Sequence, residues 1–264
     1  MKNWISILKN VSLAGFLLFT TSCSAAPAGM PATASPGGHQ KMVTAVAFSS
    51  DDKYLSSSGL DNAIKIWNPA TGELLQTIPL DRHTEALCFR PGSDTLAYAD
   101  GVQIKMMDAA TGKAGEEWMW NPDFKHDGGI RSVQFSPDGQ DLLAGCDNAF
   151  ILWHVTARPS LFADMPAHTE WTEVRSAAVP ESLAVSVRFR PDGAQIATTA
   201  FAASAIQLWR RDGDKPLKTI RFPDAMCEMV DYSPSGQSLA VVTSEEAMVV
   251  DAATGKVQRH YPLK

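Results

Sequence analysis

One five-residue pattern recurs along the chain and limits what it can fold into. An aromatic residue ends an alternating apolar run and leads into a turn sequence. The five copies are Phe48-Ser49-Ser50-Asp51-Asp52, Phe89-Arg90-Pro91-Gly92-Ser93, Phe135-Ser136-Pro137-Asp138-Gly139, Phe189-Arg190-Pro191-Asp192-Gly193 and Tyr232-Ser233-Pro234-Ser235-Gly236. Proline presets φ at the second position of such a turn and glycine is favoured at the fourth, so each copy reads as a strand followed by a tight reversal. The aromatic residues stand 41, 46, 54 and 43 residues apart.

A near-constant period of about 40–45 residues is that of one four-stranded propeller blade. The intervening sequence supplies the remaining strands. In the first repeat strand a covers 43–48, strand b 54–58, strand c 64–67 and strand d 74–78, with Gly72 in the c–d turn. The second repeat runs through 86–89, 95–98 and 103–106, the third through 131–135, 142–144 and 150–153. The fourth runs through 185–189, 195–199 and 205–209, and the fifth through 229–232, 239–242, 248–250 and a last strand at 256–261. No helical periodicity competes with this pattern beyond the first residues. The fold class expected is all-β: a single propeller of about five four-stranded blades over residues 39–264.

The first 38 residues are a different object. Lys2 and Lys9 precede the apolar run 11–19, which is too short to span a bilayer and has the layout of an export signal. Residues 1–22 are therefore expected to be a signal peptide. The run ends at Thr20-Thr21-Ser22-Cys23, which resembles the lipobox of bacterial lipoproteins and implies lipidation at Cys23. That pattern prefers Leu, Val or Ile where this chain has Thr20. Cleavage near Ala25 or Ala28 is the alternative and would release a soluble periplasmic protein. Residues 23–38 are small, proline-rich and uncharged, as a flexible tether would be. Ser24 after the cysteine disfavours inner-membrane retention, so the expected location is the periplasm, anchored by lipid to the outer membrane.

The chain carries a net charge of −6, and removal of residues 1–22 takes it to −8. Such an acidic chain has no electrostatic footprint for nucleic acid, and membrane contact is expected through the lipid anchor alone. Cys88, Cys146 and Cys227 fall in or beside strands of three different repeats, and their odd number leaves at least one unpaired within the chain. They read as buried free thiols.

The stretch 55–68, Leu-Ser-Ser-Ser-Gly-Leu-Asp-Asn-Ala-Ile-Lys-Ile-Trp-Asn, resembles the signature of the WD-repeat β-propeller family. Trp153 and Trp209 take the tryptophan position in the third and fourth repeats, while Met107 and Val250 stand there in the second and fifth. The resemblance covers roughly residues 39–264. It implies a hydrogen-bonded chain of histidine, strand-b hydroxyl, turn aspartate and tryptophan: His39, Ser57, Asp61 and Trp67 in the first repeat. His126, Asp147 and Trp153 match in the third, without a clear serine. The fourth keeps Trp209 with Ala203 at the aspartate position. The role implied is structural, because partly buried indole and imidazole N–H groups need acceptors. The family usually has seven blades and shares one blade between its chain ends. Here the repeats run from strand a to strand d, so closure is expected from packing between blades one and five. Five blades that close tightly, stay open or need a second molecule are all compatible with the sequence, and the oligomeric state stays open.

No catalytic constellation stands out. His39, His83, His126 and His168 all precede a strand a and would sit on one rim, diverging around the ring rather than converging on a metal. Asp138 and Asp192 are explained by turn chemistry and lack the partner oxygens of a calcium loop. Ser57, His39 and Asp61 are assigned to the blade, not to a hydrolytic triad. No cofactor motif is present: neither a phosphate loop nor a dinucleotide-binding unit occurs. The pairs Glu116-Glu117 and Glu245-Glu246 read as solvated.

Two connections between strand d and the next strand a look enlarged, one containing Trp118 and Trp120, the other, about 164–183, containing Trp171. Two readings stand side by side. The indoles cap neighbouring blades, or they form an aromatic patch on the loop face of the kind that carries binding energy between proteins. The function expected is a non-catalytic platform for a protein or peptide partner in the bacterial envelope, with Trp118, Trp120 and Trp171 as candidate contacts. The alternative is an exported propeller enzyme, a quinone-dependent dehydrogenase or a sugar or lactone hydrolase, working at the central channel. The inner-strand residues Ala45, Ala47, Ser132, Gln134, Arg188 and Asp231 do not read as an acid–base set.

Overall fold

The structure, a computed structural model, describes residues 37–114, 129–158, 168–179, 186–202, 204–222 and 225–262. Every regular element in them is a strand. Blade one is β1 (Val43–Phe48), β2 (Leu55–Gly59), β3 (Ala63–Trp67) and β4 (Leu74–Pro79) in antiparallel sequence order. Blade two has β5 (Leu87–Phe89), β6 (Thr95–Asp100) and β7 (Gln103–Asp108), with a bridge from Met107 to Ala114 beyond the c–d turn. Blade three is β8 (Ile130–Phe135), β9 (Asp141–Cys146), β10 (Ala149–Arg158) and β11 (His168–Ala178). Blade four is β12 (Val187–Phe189), β13 (Gln195–Ala200), β14 (Ala205–Arg210) and β15 (Pro216–Arg221). Blade five is β16 (Cys227–Tyr232), β17 (Ser238–Thr243), β18 (Glu246–Asp251) and β19 (Val257–Pro262). The result is a five-bladed β-propeller.

The repeated turn produces this geometry directly. Gly139, Gly193 and Gly236 each donate their N–H to the carbonyl three residues back, at 2.8 Å, and each sits at a φ near +70° that glycine adopts without strain. In blade one Asp52 holds the same place with φ 59°. The turn serine adds a second lock: Ser136 Oγ donates to Asp138 Oδ1 at 2.5 Å and accepts from Asp141 N at 2.8 Å. With the turn fixed, each aromatic residue pairs with the first large apolar residue of strand b, as in Phe135↔Leu142 and Phe189↔Ile196.

Side chains alternate between the two faces of each blade, and both faces are apolar. Apolar clusters therefore form between blades rather than within them. Ala45, Ile64 and Ile66 of blade one meet Leu87, Phe89, Leu96 and Tyr98 of blade two. Ala97, Ala99 and Ile104 meet Val133, Phe135 and Leu142. Leu143, Phe150 and Leu152 meet Val187, Phe189, Ile196 and Trp209. Ile206, Leu208 and Ile220 meet Val230, Tyr232 and Leu239.

Blade three corrects one expectation. The segment around 164–183 is not a loop leading to the next blade. β10 continues to Arg158, and β11 starts at His168, pairing with it from Arg158↔His168 to Ala149↔Ala178. The enlargement lies in the c–d hairpin, and Trp171 is a residue of β11 opposite Val155. His168 accordingly opens a strand d, not a strand a, and does not share a rim with His39 and His83. Strand pairing decides this: the Thr169-to-Ser176 stretch alternates and is rich in Thr, Trp and Val, which suits a ladder.

Candidate functional site: the blade-one hydrogen-bond chain and the central channel

In blade one His39, Ser57, Asp61 and Trp67 are joined in series. His39 Nδ1 lies 2.8 Å from Asp61 Oδ1, and His39 Nε2 lies 2.8 Å from Ser57 Oγ. Trp67 Nε1 donates to the same Ser57 oxygen at 2.8 Å. A carboxylate only accepts, so His39 carries its proton on Nδ1, accepts the Ser57 hydroxyl proton at Nε2, and leaves the serine oxygen to the indole. The backbone N–H of Gln40 adds a bond to Asp61 Oδ2 at 2.9 Å. Burial pushes the Asp61 carboxyl up, but Gln40 and His39 together outweigh it and hold the group below its ordinary range. The chain ties the segment before β1 to both β2 and β3, with the His39 side chain only 4 % exposed.

The other blades keep parts of this device. Trp209 Nε1 donates to Thr198 Oγ1 at 3.0 Å, so blade four has a strand-b hydroxyl acceptor although Ala203 replaces the aspartate. Trp153 packs, half-buried, against the cluster between blades two and three. Asp147 accepts from Arg131 Nε at 3.0 Å, while Arg131 Nη1 reaches Glu85 of blade two at 3.1 Å. His126 lies outside the described residues, as do Trp118, Trp120 and Cys23. Cys88, Cys146 and Cys227 are free and buried, and burial pushes each thiol up to about 12. A thiol so placed is not a nucleophile at neutral pH.

The five inner strands surround a cavity of about 540 Å³ lined by residues of every blade, among them Phe48, Phe89, Gln134, Arg188 and Asp231. Pro91, Pro137, Pro191 and Pro234, from four of the repeated turns, also line it. The sequence placed Ser132, Gln134, Arg188 and Asp231 at alternate inner positions without relating them. The structure links them across blades. Gln134 Oε1 accepts from Phe189 N at 2.6 Å, and Arg188 Nη1 donates to Ser132 Oγ at 3.0 Å and to Val187 O at 2.7 Å. Arg188 Nε stands 4.0 Å from Asp231 Oδ1. Burial pushes the Asp231 carboxyl up to about 6 against the pull of Arg188. The Gln134–Phe189, Arg188–Ser132 and Arg188–Asp231 contacts brace neighbouring blades, and no sequence motif marks them because each joins residues more than 40 positions apart in different repeats.

Among the described residues no group of three or more His, Cys, Asp or Glu side chains converges as metal ligands would. His83 Nε2 is 3.8 Å from Glu85 Oε1, and His39 is committed to its blade.

A ring of antiparallel blades, one of them stapled by a tryptophan–serine–histidine–aspartate chain, defines a class, the β-propeller. Comparison with known proteins finds a partial match to one family: the model for the WD domain, G-beta repeat, matches residues 32–68 and 123–154. The chain is 34% identical over 124 residues to the small ribosomal subunit protein RACK1 of Drosophila melanogaster, across 45% of this chain and 39% of that protein. It is 24% identical over 173 residues to the U3 small nucleolar RNA-associated protein 21 of Saccharomyces cerevisiae, across 65% of this chain and 16% of the relative. It is 30% identical over 125 residues to the COMPASS component SWD3 of the same yeast, across 44% and 39%. The matches thus span no more than 39% of the length of these relatives.

Proposed function

We propose that this chain is a non-catalytic protein-interaction platform of the bacterial cell envelope that binds a protein or peptide partner. The observation that carries the reading is the ring of packed blades itself. Inner polar groups such as Ser57 and Ser132 bond within and between blades, and two of the relatives are named as a small ribosomal subunit protein and a COMPASS component. A fold of this kind presents loops on a fixed frame, and function resides in what the loops carry. Trp118, Trp120 and Trp171 are the proposed contacts, since aromatic anchors dominate binding energy between proteins. With Trp171 on β11, the contact surface proposed includes the long c–d hairpin of blade three. The triple variant Trp118→Ala, Trp120→Ala, Trp171→Ala should lose co-purification of a specific partner while keeping its melting temperature. Retained binding would remove these residues from the proposal.

Export by residues 1–22, lipidation of Cys23 and a tether over 23–38 complete the proposed arrangement. Metabolic labelling with a radioactive fatty acid should mark the intact chain and not Cys23→Ser; equal labelling, or none in either, counts against the anchor.

One observation favours a second reading, an exported enzyme. The central cavity has the size of a small-molecule site and contains a carboxyl pushed up to about 6 beside an arginine. Activity against lactone or glycoside panels that is lost in Asp231→Asn would support it.

A further inference from the structure

We propose that the propeller opens at one fixed joint, between blade five and blade one. This inference is independent of what the platform binds.

The ring has five equivalent joints, one between each blade and the next. In each blade the residue paired with the inner aromatic points at the preceding blade. Leu96, Leu142, Ile196 and Leu239 hold this position in blades two to five, and all four are 0 % exposed. Leu55 holds it in blade one and is only half-buried. The aromatic residues behave alike: Phe89, Phe135, Phe189 and Tyr232 are buried, whereas Phe48 is half-buried. The opposite side of the joint repeats the difference. Ala197, Ile206 and Leu208 of blade four are buried against blade five. Their counterparts in blade five, Ala240, Ala247 and Val249, face blade one and are only half-buried. Among the described residues, apolar clusters join blades one and two, two and three, three and four, and four and five, and none joins five and one.

Burial of apolar surface is what chiefly holds one blade to the next, in proportion to the area removed from water. The joint that buries least is the one that separates at least cost. A ring with one weak joint behaves as a short linear array, in which stability falls toward the two ends. Blade three is then the centre and blades one and five are the ends. Separation there uncovers both half-buried faces and the side of the channel that bears Asp231.

Hydrogen exchange on the purified full chain tests this without any substitution. Amides of β2 and β17 should exchange roughly tenfold or more faster than those of β9, with blades two and four between them. Even protection around the ring, or fastest exchange in blade two, three or four, overturns the proposal. A second measurement reports separation rather than fraying. Leu55→Cys places a thiol in the joint, while Cys88, Cys146 and Cys227 lie in the built interfaces between blades two and three and between four and five. A maleimide carrying a bulky polymer should modify the introduced thiol about tenfold faster than the native three, if opening governs access. A rate no faster than theirs overturns the opening.

Discussion

The guanidinium carbon of Arg175 lies 5.4 Å from the centroid of the Trp209 indole, so a strand-d arginine of blade three caps the tryptophan of blade four. The same carbon is 5.0 Å from the Phe150 ring, and the two rings meet edge to face at 5.1 Å. Arg175 Nη1 donates to the carbonyls of Arg210 and Arg211 at 2.8 and 3.3 Å, while Nε and Nη2 have no hydrogen-bond partner among the described residues. The residue therefore contributes through packing and cation–π contact as much as through hydrogen bonds. Arg175→Ala should lower unfolding stability by about 2–3 kcal/mol, as expected for removing a large buried side chain. Arg175→Met should recover most of it, because it fills the space and removes two unsatisfied donors. Urea denaturation of the two variants checks this; equal losses would mean that the charge dominates.

The hydroxyls that receive the indole N–H groups give a second prediction. Ser57→Ala leaves both Trp67 Nε1 and His39 Nε2 without their bond, and should cost about 1–3 kcal/mol, the usual penalty for orphaned buried polar groups. Thr198→Val removes one acceptor from Trp209 at nearly constant shape and should cost less, about 1–2 kcal/mol. Thr198→Ser should be close to neutral. Thermal unfolding of the three variants tests the ranking.

The parts of this fold that could be read from the sequence are those fixed by local chemistry. Proline, aspartate and glycine at 137–139 dictate their turn wherever they stand, and the spacing of such turns counts the blades. The His39–Ser57–Asp61–Trp67 chain was legible through the resemblance of residues 55–68 to the WD-repeat signature, which implies all four positions at once. What escaped depended on register or on contacts between repeats. Thr198 becomes the partner of Trp209 only once Ile196 is known to pair with Trp209, which sets Thr198 two residues further along the strand on the same face. The β10–β11 hairpin reads as a connection in sequence because nine residues separate its strands and neither end carries the repeated turn. Arg188 and Asp231 come from different blades and carry no motif.

Positive φ at the repeated turn supplies the third prediction. Gly193 has φ +71°, and an added Cβ would meet only Pro137 Cδ at 3.7 Å, an ordinary contact. Gly193→Ala therefore isolates the backbone term and should cost about 1–2 kcal/mol, the penalty of the left-handed region for an L-residue. Asp52 stands at the same point of blade one, and Asp52→Asn should be nearly neutral in that respect, since both residues tolerate the conformation better than most. Denaturant midpoints decide; a neutral Gly193→Ala would show that the turn relaxes to negative φ.

The last prediction concerns acid stability. Burial raises the Asp231 carboxyl to about 6 in the folded chain, well above its value of about 3.9 when unfolded. Between those values the folded state holds a proton that the unfolded state has released. Stability from this group is therefore fully present below about pH 4 and is lost as pH rises through about 6. Burial shifts Glu228 in the same direction. The carboxyls of Asp61, Asp138 and Asp251 are held below their ordinary range, and their stabilisation fades only as pH falls under about 4. The two sets act in different windows, so Asp231→Asn should flatten the decline in stability between about pH 4 and 6 and leave the loss at lower pH unchanged. Urea midpoints across that range measure the slope; an unaltered decline in the variant would show that Asp231 ionises normally in the channel, with Arg188 fully offsetting its burial.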